Sequence, residues 1–377
     1  MKVALLRDMV EENWPSMEVY ADRLVHGLRK VAPGSEFVEV RVPSWTLPNW
    51  RVHMPYGRTA SLRTLGLYLS RLVRYPLALR RVNADVYHIL DNSYGHLAFF
   101  LDPKRTIVTS HGGTPNSWRQ WNPEGLAMWM FDLAFKGMLR ASRILVVSEY
   151  AKKELLAEVS YPAKRIRVVY HGVDDRFRPI GEDERQRVRA QYLRSNEQTL
   201  LLHIGHCATR KNIEGLLRAL ALLKHRGIDA RLLQVGGTFS SAQRNLITSE
   251  GISGAITQIT YIPNTELPSL YAAADLFVFP SLYEGFGIPL IEAMACGTPI
   301  VCSDCELFRE VCGDAALFAD PRNPQSIANA IVKVILDRAL AEHLRQRGLE
   351  RVKRFTWEQA ARETYEVYQK VFLEVAP

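Results

Sequence analysis

The sequence predicts an α/β protein of two doubly wound, Rossmann-like domains facing a central cleft. Three observations predict it. Short apolar runs alternate with amphipathic stretches through both halves of the chain, the pattern of parallel strands covered on both faces by crossover helices. The length, 377 residues, exceeds the roughly 250–300 residues at which single cores stop growing. The alternation breaks between Val173 and Gly181, where Asp174-Asp175, Pro179 and Gly181 interrupt any period. The expected division is therefore a domain at 1–172, a linker at 173–181, a domain at 182–355, and a closing helix at 356–377.

In chain order, Val3–Leu6 is a short apolar strand and Glu18–Val31 an amphipathic helix with Val19, Leu24, Val25 and Leu28 inward. Phe37–Val42, Asp85–Leu90, Thr106–Thr109 and Ile144–Val147 read as strands, and Gly125–Leu139 as a helix. His111, followed by Gly112-Gly113, falls at the carboxyl end of a strand, where open α/β sheets bind ligands. In the second half, Leu200–Ile204, Arg231–Val235, Ala255–Ile262, Leu276–Phe279, Thr298–Cys302 and Ala315–Phe318 are strand candidates. Ile213–His225, Ser326–Leu336, Leu340–Arg354 and Trp357–Leu373 are helix candidates. One region is irregular. Around Trp45, Trp50, Met54 and Tyr56 lies a helix-like stretch, Ser61–Tyr75, with Leu62, Leu65, Leu69, Leu72 and Val73 on one face and Arg63, Arg71 and Arg74 on the other. Its first reading is a peripheral helix packed on the N-terminal sheet with a solvated arginine face. The second is a basic amphipathic helix lying on anionic lipid.

Lysine and arginine number 48 against 40 acids, a net charge of +8, which suits anionic partners such as nucleotide phosphates or an acidic membrane surface. The charge is spread along the chain without a basic tail, so nucleic acid is not expected. Met1-Lys2 leads straight into the first strand, too short for a signal peptide, and no apolar run approaches the roughly 20 residues of a membrane span. The five cysteines are expected to be reduced, in keeping with a cytoplasmic protein that is at most peripheral on the inner face of the plasma membrane. Cys302-x-x-Cys305 lacks the second ligand pair that zinc requires.

The stretch Leu276–Ser303 carries the densest chemistry: strand, glycine loop, helix, turn, strand. Gly285 and Gly287 bracket Phe286, allowing a sharp turn and a close ligand approach. Pro289 suits the first helical position. A helix opening from such a loop directs backbone N–H groups at an anion. Glu284 and Glu292 flank that position, two acids able to hold hydroxyls, and together they point to a sugar nucleotide.

This stretch, with E-G-F-G-I-P-L-I-E from Glu284 to Glu292, resembles the retaining glycosyltransferases of family GT4, which have the GT-B fold. The resemblance extends to His203–Asn212 (H-I-G-H-C-A-T-R-K-N), Val146–Tyr150, His171–Asp174 and Phe355–Arg362. It implies roles for particular residues. Lys211 and Arg210, after Gly205, hold the donor diphosphate. Glu292 accepts from the ribose hydroxyls, and Glu284 contacts the transferred sugar. The backbone of Phe286, Gly287, Ile288 and Pro289 lines the donor pocket, and His111 faces the donor sugar. His111, Lys211 and Glu284 are thus the expected catalytic residues. Cations fixed on a departing diphosphate stabilise the charge that develops as the glycosidic bond breaks. The implied mechanism retains configuration by front-face attack, the leaving phosphate taking the acceptor's proton. Glu284 is therefore not expected to act as the nucleophile of a two-carboxylate hydrolase. No D-x-D triplet occurs, and neither metal nor cofactor is expected. Two positions depart from the family pattern: Pro15-Ser16 replaces a glycine pair, removing a backbone donor, and His206 stands where arginine is common.

The implied activity is transfer of a hexose from a nucleotide-diphosphate sugar, UDP-hexose first and GDP-mannose second, to a saccharide or lipid-linked saccharide acceptor in surface polysaccharide synthesis. The base would meet backbone near Gly236–Thr238 and Tyr261–Pro263; the loops Trp45–Gly57 and Thr114–Gly125, with Trp45, Trp50, Trp118 and Trp121, would meet the acceptor. Three rivals stand beside it. A nicotinamide dehydrogenase lacks its third glycine, because Leu290 occupies that position. A sugar-nucleotide epimerase of the same architecture and a non-catalytic nucleotide-sugar-binding subunit remain open.

Overall fold

The computed structural model describes the chain except residues 13, 46–50, 55–57, 122–124, 196 and 376–377, with backbone alone for 15, 51–54 and 58–61. Trp50, Tyr56 and parts of both expected acceptor loops lie outside the described residues. The chain divides into two compact units, residues 1–171 with 357–377, and residues 172–356.

The first unit holds strands β1 (Lys2–Leu6), β2 (Glu36–Val40), the antiparallel hairpin β3 (Arg51–Met54) and β4 (Arg58–Ser61), then β5 (Val86–Ile89), β6 (Thr106–Ser110), β7 (Arg143–Val146) and β8 (Ile166–Val168). Outside the hairpin they form one parallel sheet in the order β2-β1-β5-β6-β7-β8. The chain thus moves outward from β1 to β2, then reverses and builds from β5 the other way. That reversal lies between β1 and β5. Its helices are α1 (Pro15–Val31), α2 (Leu62–Leu69), α3 (Tyr75–Leu79), α4 (Pro115–Arg119), α5 (Leu126–Met138) and α6 (Glu149–Glu158). The central strands are buried on both faces, which is why they read as continuous apolar runs.

The second unit repeats the plan with β9 (Thr199–Ile204), β10 (Ala230–Val235), β11 (Ile256–Ile259), β12 (Leu276–Phe279), β13 (Ile300–Ser303) and β14 (Leu317–Ala319), ordered β11-β10-β9-β12-β13-β14. All pairs are parallel, and the reversal lies between β9 and β12. The covering helices are α7 (Glu182–Ala190), α8 (Ile213–His225), α9 (Ser241–Ser249), α10 (Leu267–Ala273), α11 (Ile288–Ala295), α12 (Glu306–Cys312), α13 (Pro324–Leu336) and α14 (Arg338–Arg351). The last helix, α15 (Trp357–Val375), belongs to the first unit, where Ala360, Ala361, Val367, Tyr368 and Val371 pack with Leu24, Val25 and Leu28 of α1. Tyr368 Oη meets His88 Nδ1 at 2.6 Å; His88 Nε2 meets Thr109 Oγ1 at 2.7 Å; Tyr20 Oη lies 3.1 Å from the same threonine. This chain ties α15, β5, β6 and α1 together through buried polar groups that satisfy one another.

One expectation is corrected, and others are filled in. Pro289 takes the second helical position, not the first, because Ile288 opens α11. Pro15 occupies the first turn of α1, where a missing N–H leaves no helical bond unmade. Trp118 stacks on Phe131 with centroids 5.1 Å apart, so it packs within its own unit. All five cysteines are free.

The irregular helix differs most. Residues 62–79 run as α2, a π-helical turn at Ser70–Arg74, and α3. The wider turn shifts the helical phase. The buried positions are Gly66, Ser70, Tyr75, Pro76 and Leu79, while Leu65, Leu69, Val73 and Leu77 are exposed. Arg71, expected on the solvated face, is drawn inward: its guanidinium donates to Ser93 O and pairs with Glu12 at 3.4 Å. Of the apolar face that periodicity assigned to the core, Leu65, Leu69 and Val73 look outward, while Leu62 and Leu72 stay half-buried.

Candidate functional site

In the second unit, the loops leaving β9 and β12 meet at the reversal point, where doubly wound sheets place their ligands. After β9 the chain makes a tight turn, Thr209–Lys211, ended by Asn212 at φ 55. Asparagine tolerates this left-handed conformation better than most residues. Its amide donates to Pro280 O at 3.1 Å and Pro321 O at 2.6 Å, and Leu282 N donates to Arg210 O at 2.7 Å. The backbones of the two loops are thus fastened before any charge is considered.

The charges then meet across that seam. Lys211 Nζ lies 2.5 Å from Glu284 Oε1, and Arg210 NH1 lies 3.0 Å from Glu284 Oε2. Burial acts to raise the Glu284 carboxyl, but the charges of Lys211 and Arg210 outweigh it and hold the group below the ordinary carboxylate range. Burial, with Arg210 adding to it, works against the Lys211 ammonium, while Glu284 supports it. The paired, ionised form is the stable one, with both side chains only about a tenth exposed. Gly205 makes room for the lysine: a Cβ there would come within 3.4 Å of Lys211 Cε, and its φ of +152 disfavours a side chain. Lys211 Nζ also sits 4.9 Å from the Phe279 ring centroid, a cation–π contact. His203, stacked on Phe279 at 6.0 Å, is pushed to about 3 by burial and then by Lys211, so it remains a neutral wall.

At the start of α11, Gly287 adopts φ +96. A Cβ at Gly287 would meet Leu290 Cδ1 at 3.0 Å, so the turn admits no larger residue without strain. Phe286 turns its side chain inward, edge-on to Phe355 at 5.8 Å, and anchors the loop from beneath. Ile288 and Pro289 are half-buried. Glu292 lies within the helix and accepts from Tyr271 Oη at 2.7 Å. Burial raises its carboxyl to about 7; the Tyr271 hydrogen bond opposes the shift, Asp174 adds to it and Arg176 lowers it. The structure thus places Gly205, Arg210, Lys211, Glu284, Phe286 and Gly287 on adjoining loops of one unit, with Ile288, Pro289 and Glu292 in the helix α11 that follows. Tyr271 and Asn212 were not anticipated. The asparagine stood in R-K-N before a helix, a legible left-handed signal; the tyrosine had none, lying in an apolar helix far from the glycines.

His111 belongs to the first unit, just after β6. Its Nε2 lies 2.8 Å from Leu90 O, which only accepts, so that nitrogen carries the proton; Nδ1 faces His171 Nε2 at 3.4 Å. Burial lowers His111, with Asp91 and Leu90 O opposing, so the ring is neutral at neutral pH. Tyr20 packs edge-on against it at 4.5 Å. His206 is exposed and lies against Gly237.

A carboxyl whose folded pKa exceeds its unfolded value stabilises the fold while protonated. The Glu292 contribution is present below about pH 4.5 and lost as the pH rises through about 7. Glu292→Gln should remove that loss, gaining about 1–2 kcal/mol relative to the unaltered protein between pH 5 and pH 8, discounted for its partial exposure. Urea unfolding at the two pH values checks this; a pH-independent difference contradicts it.

The model for group 1 glycosyl transferases matches residues 184–351, and that for glycosyltransferase family 4 matches residues 17–177. The chain is 34% identical to the O-antigen chain mannosyltransferase B of Escherichia coli, over 78% of this chain and 77% of that one. It is 30% identical to the MMP alpha-(1->4)-mannosyltransferase of Mycolicibacterium hassiacum, over 88% and 79%. Sucrose-phosphate synthase from Thermosynechococcus elongatus superposes with a TM-score of 0.78 at 21% identity, over 99% of this chain and 100% of that one, giving the GT-B fold. With both halves matched and a third of positions shared across most of its length with a curated relative, the chain belongs to the group 1, family 4 glycosyltransferases.

Proposed function

We propose that this glycosyltransferase moves a mannosyl group, with retention of configuration, from a nucleotide-diphosphate mannose to a hydroxyl of a saccharide or lipid-linked saccharide, in surface polysaccharide synthesis. The carrying observation is the pairing of Arg210 and Lys211 with Glu284 at the sheet reversal, beside the start of α11. Two cations held there by one carboxylate are matched to a diphosphate, which supplies more negative charge than Glu284 does. When the diphosphate binds, it shares the cations, and Glu284 becomes available to hydroxyls of the transferred sugar. Glu292, costly to ionise in its buried setting, gains from ribose hydroxyls that donate to it. Gly236 and Gly237, both at positive φ, leave backbone open to the base, and Tyr261 stands 80% exposed beyond β11. His111 keeps its proposed place at the donor sugar as a neutral ring. Sequence alone favoured UDP-hexose; relatives named as mannosyltransferases bring GDP-mannose forward.

Fixed cations take the part that a divalent ion plays in other transferases, so no metal or cofactor enters this reading. Incubation with GDP-mannose and UDP-glucose, each with a mannoside acceptor and with EDTA, tests it. The expected product is an α-mannoside by NMR, formed equally with EDTA present. Lys211→Ala should lower kcat/KM by about 100-fold. Formation of a β-product, or dependence on added Mg²⁺ or Mn²⁺, contradicts the proposal.

We also propose peripheral contact with an anionic membrane. No helix among the described residues is long and apolar enough to cross one. The outward stripe Leu65, Leu69, Val73 and Leu77, flanked by exposed Arg63, Arg80 and Arg81, supports the contact: apolar side chains enter the interface while arginines meet acidic headgroups. The protein should sediment with phosphatidylglycerol vesicles, and Leu69→Glu with Val73→Glu should abolish this. Equal sedimentation of the double variant would remove the stripe from the account.

A further inference from the structure

The proposed donor site has a support outside its own loops. Tyr271 lies in α10, is fully buried, and donates through its hydroxyl to Glu292 Oε2 at 2.7 Å. Its ring is packed edge-on against Phe177, at 5.8 Å, and Phe277, at 5.2 Å. Its backbone is fixed as well. Thr298 Oγ1 donates to Tyr271 O at 2.6 Å, and Cys296 Sγ donates to Pro268 O, earlier in the same helix, at 3.6 Å. Both contacts come from the C-terminal end of α11 and the residues just after it, and α11 carries Glu292. The two helices are therefore fastened together beside the tyrosine–glutamate bond.

The effect of this bond follows from what each partner can offer. A phenol has one proton to give, and burial, with the charge of Glu292 adding to it, raises the Tyr271 phenol well above its ordinary value, so it stays a donor. An ionised carboxylate has two oxygens, each able to accept twice. Tyr271 takes a place on Oε2; among the described residues Oε1 accepts from none. A glutamate left to itself on a helix samples many rotamers. Here its tip is tied to a ring that cannot move. A tyrosine serving packing alone would be satisfied by a backbone carbonyl, which carries no charge to desolvate. Its partner is instead a half-buried carboxyl that burial pushes up, and the tyrosine's bond opposes that push.

The other groups that face Glu292 do not do the same work. Asp174 and Arg176, from the segment between β8 and α7, act on the carboxyl in opposite directions and pair with each other at 3.1 Å. Cys296, one turn along α11, is kept a thiol by burial and then by Glu292. Among the described residues, Tyr271 is the side chain that hydrogen-bonds the Glu292 carboxyl. Ribose hydroxyls placed on that carboxyl would be donors, so they would favour its ionised form over the acid. Tyr271 supports that same form and fixes where it sits.

We infer that Tyr271 is a positioning residue for the nucleotide: by holding Glu292 Oε2 it presents Oε1 to the ribose hydroxyls. The inference rests on the proposed donor site and adds to it a residue that touches neither phosphate nor sugar. Titration calorimetry with GDP and UDP, each beside its 2′,3′-dideoxy form, tests it. For the nucleotide that binds, Tyr271→Phe should weaken affinity at pH 7 by about tenfold, and weaken the dideoxy form less than about twofold, because the loss passes through the ribose. In a Glu292→Ala background, Tyr271→Phe should change affinity less than about twofold, since the group it acts through is gone. The preference for the nucleotide over its dideoxy form, whose phosphates titrate alike, should fall as the pH drops from 8 to 6. In Tyr271→Phe that fall should begin at a higher pH, where the hydroxyl no longer opposes burial of the carboxyl. Equal weakening of both forms, or an unchanged pH profile, would leave Tyr271 a packing residue and overturn the inference. So would an unaltered protein that binds a nucleotide and its dideoxy form equally. Binding of neither GDP nor UDP by the unaltered protein would instead overturn the donor-site reading, and the inference with it.

Discussion

The second unit is organised around one buried carboxylate. Glu284 holds Lys211 on one oxygen and Arg210 on the other, and the local backbone is arranged to let it do so. Gly205 lacks the side chain that would crowd the lysine stem, Asn212 bends back to bind the loop that carries the glutamate, and Leu282 fastens the seam. Buried ion pairs seldom add net stability, because desolvation offsets most of their attraction. On the proposed function, such a pairing is storage: two cations are kept in place and oriented until a ligand with more charge takes them.

The two units use one topology for different chemistry. At the reversal of the second sheet the side chains are cationic and the loops rich in glycine, which suits phosphate. At the reversal of the first sheet they are acids and an arginine that pair with one another. The sheets themselves dictate where a site can lie. The residues immediately beyond the strands dictate what it binds, so the fold supplies location and the loops supply selectivity.

Much of this was legible in the sequence. Buried parallel strands write themselves as apolar runs, and Leu276–Phe279 was delimited to the residue. The motifs around Glu284, Glu292 and Arg210-Lys211 named the loops that do meet. What was hidden has physical causes. The π-helical turn at Ser70–Arg74 cannot be seen in a pattern read at constant period, and Leu65, Leu69 and Val73, assigned inward, are exposed. Strand β8 has three residues and helix α7 is almost wholly polar, so neither offers an apolar period. Asp8 and Asp91 are single acids after strands eighty residues apart; only the pairing of β1 with β5 brings them together. Tyr271 reaches Glu292 from a neighbouring helix, a contact that no spacing announces.

The central claim is that Arg210 and Lys211 are held ready for a diphosphate. Titration calorimetry with GDP and GMP in EDTA tests it most directly. The account predicts that GDP binds at least about tenfold more tightly than GMP, since the second phosphate gains charge-assisted hydrogen bonds from cations already in place. Equal affinities for the two nucleotides would contradict it.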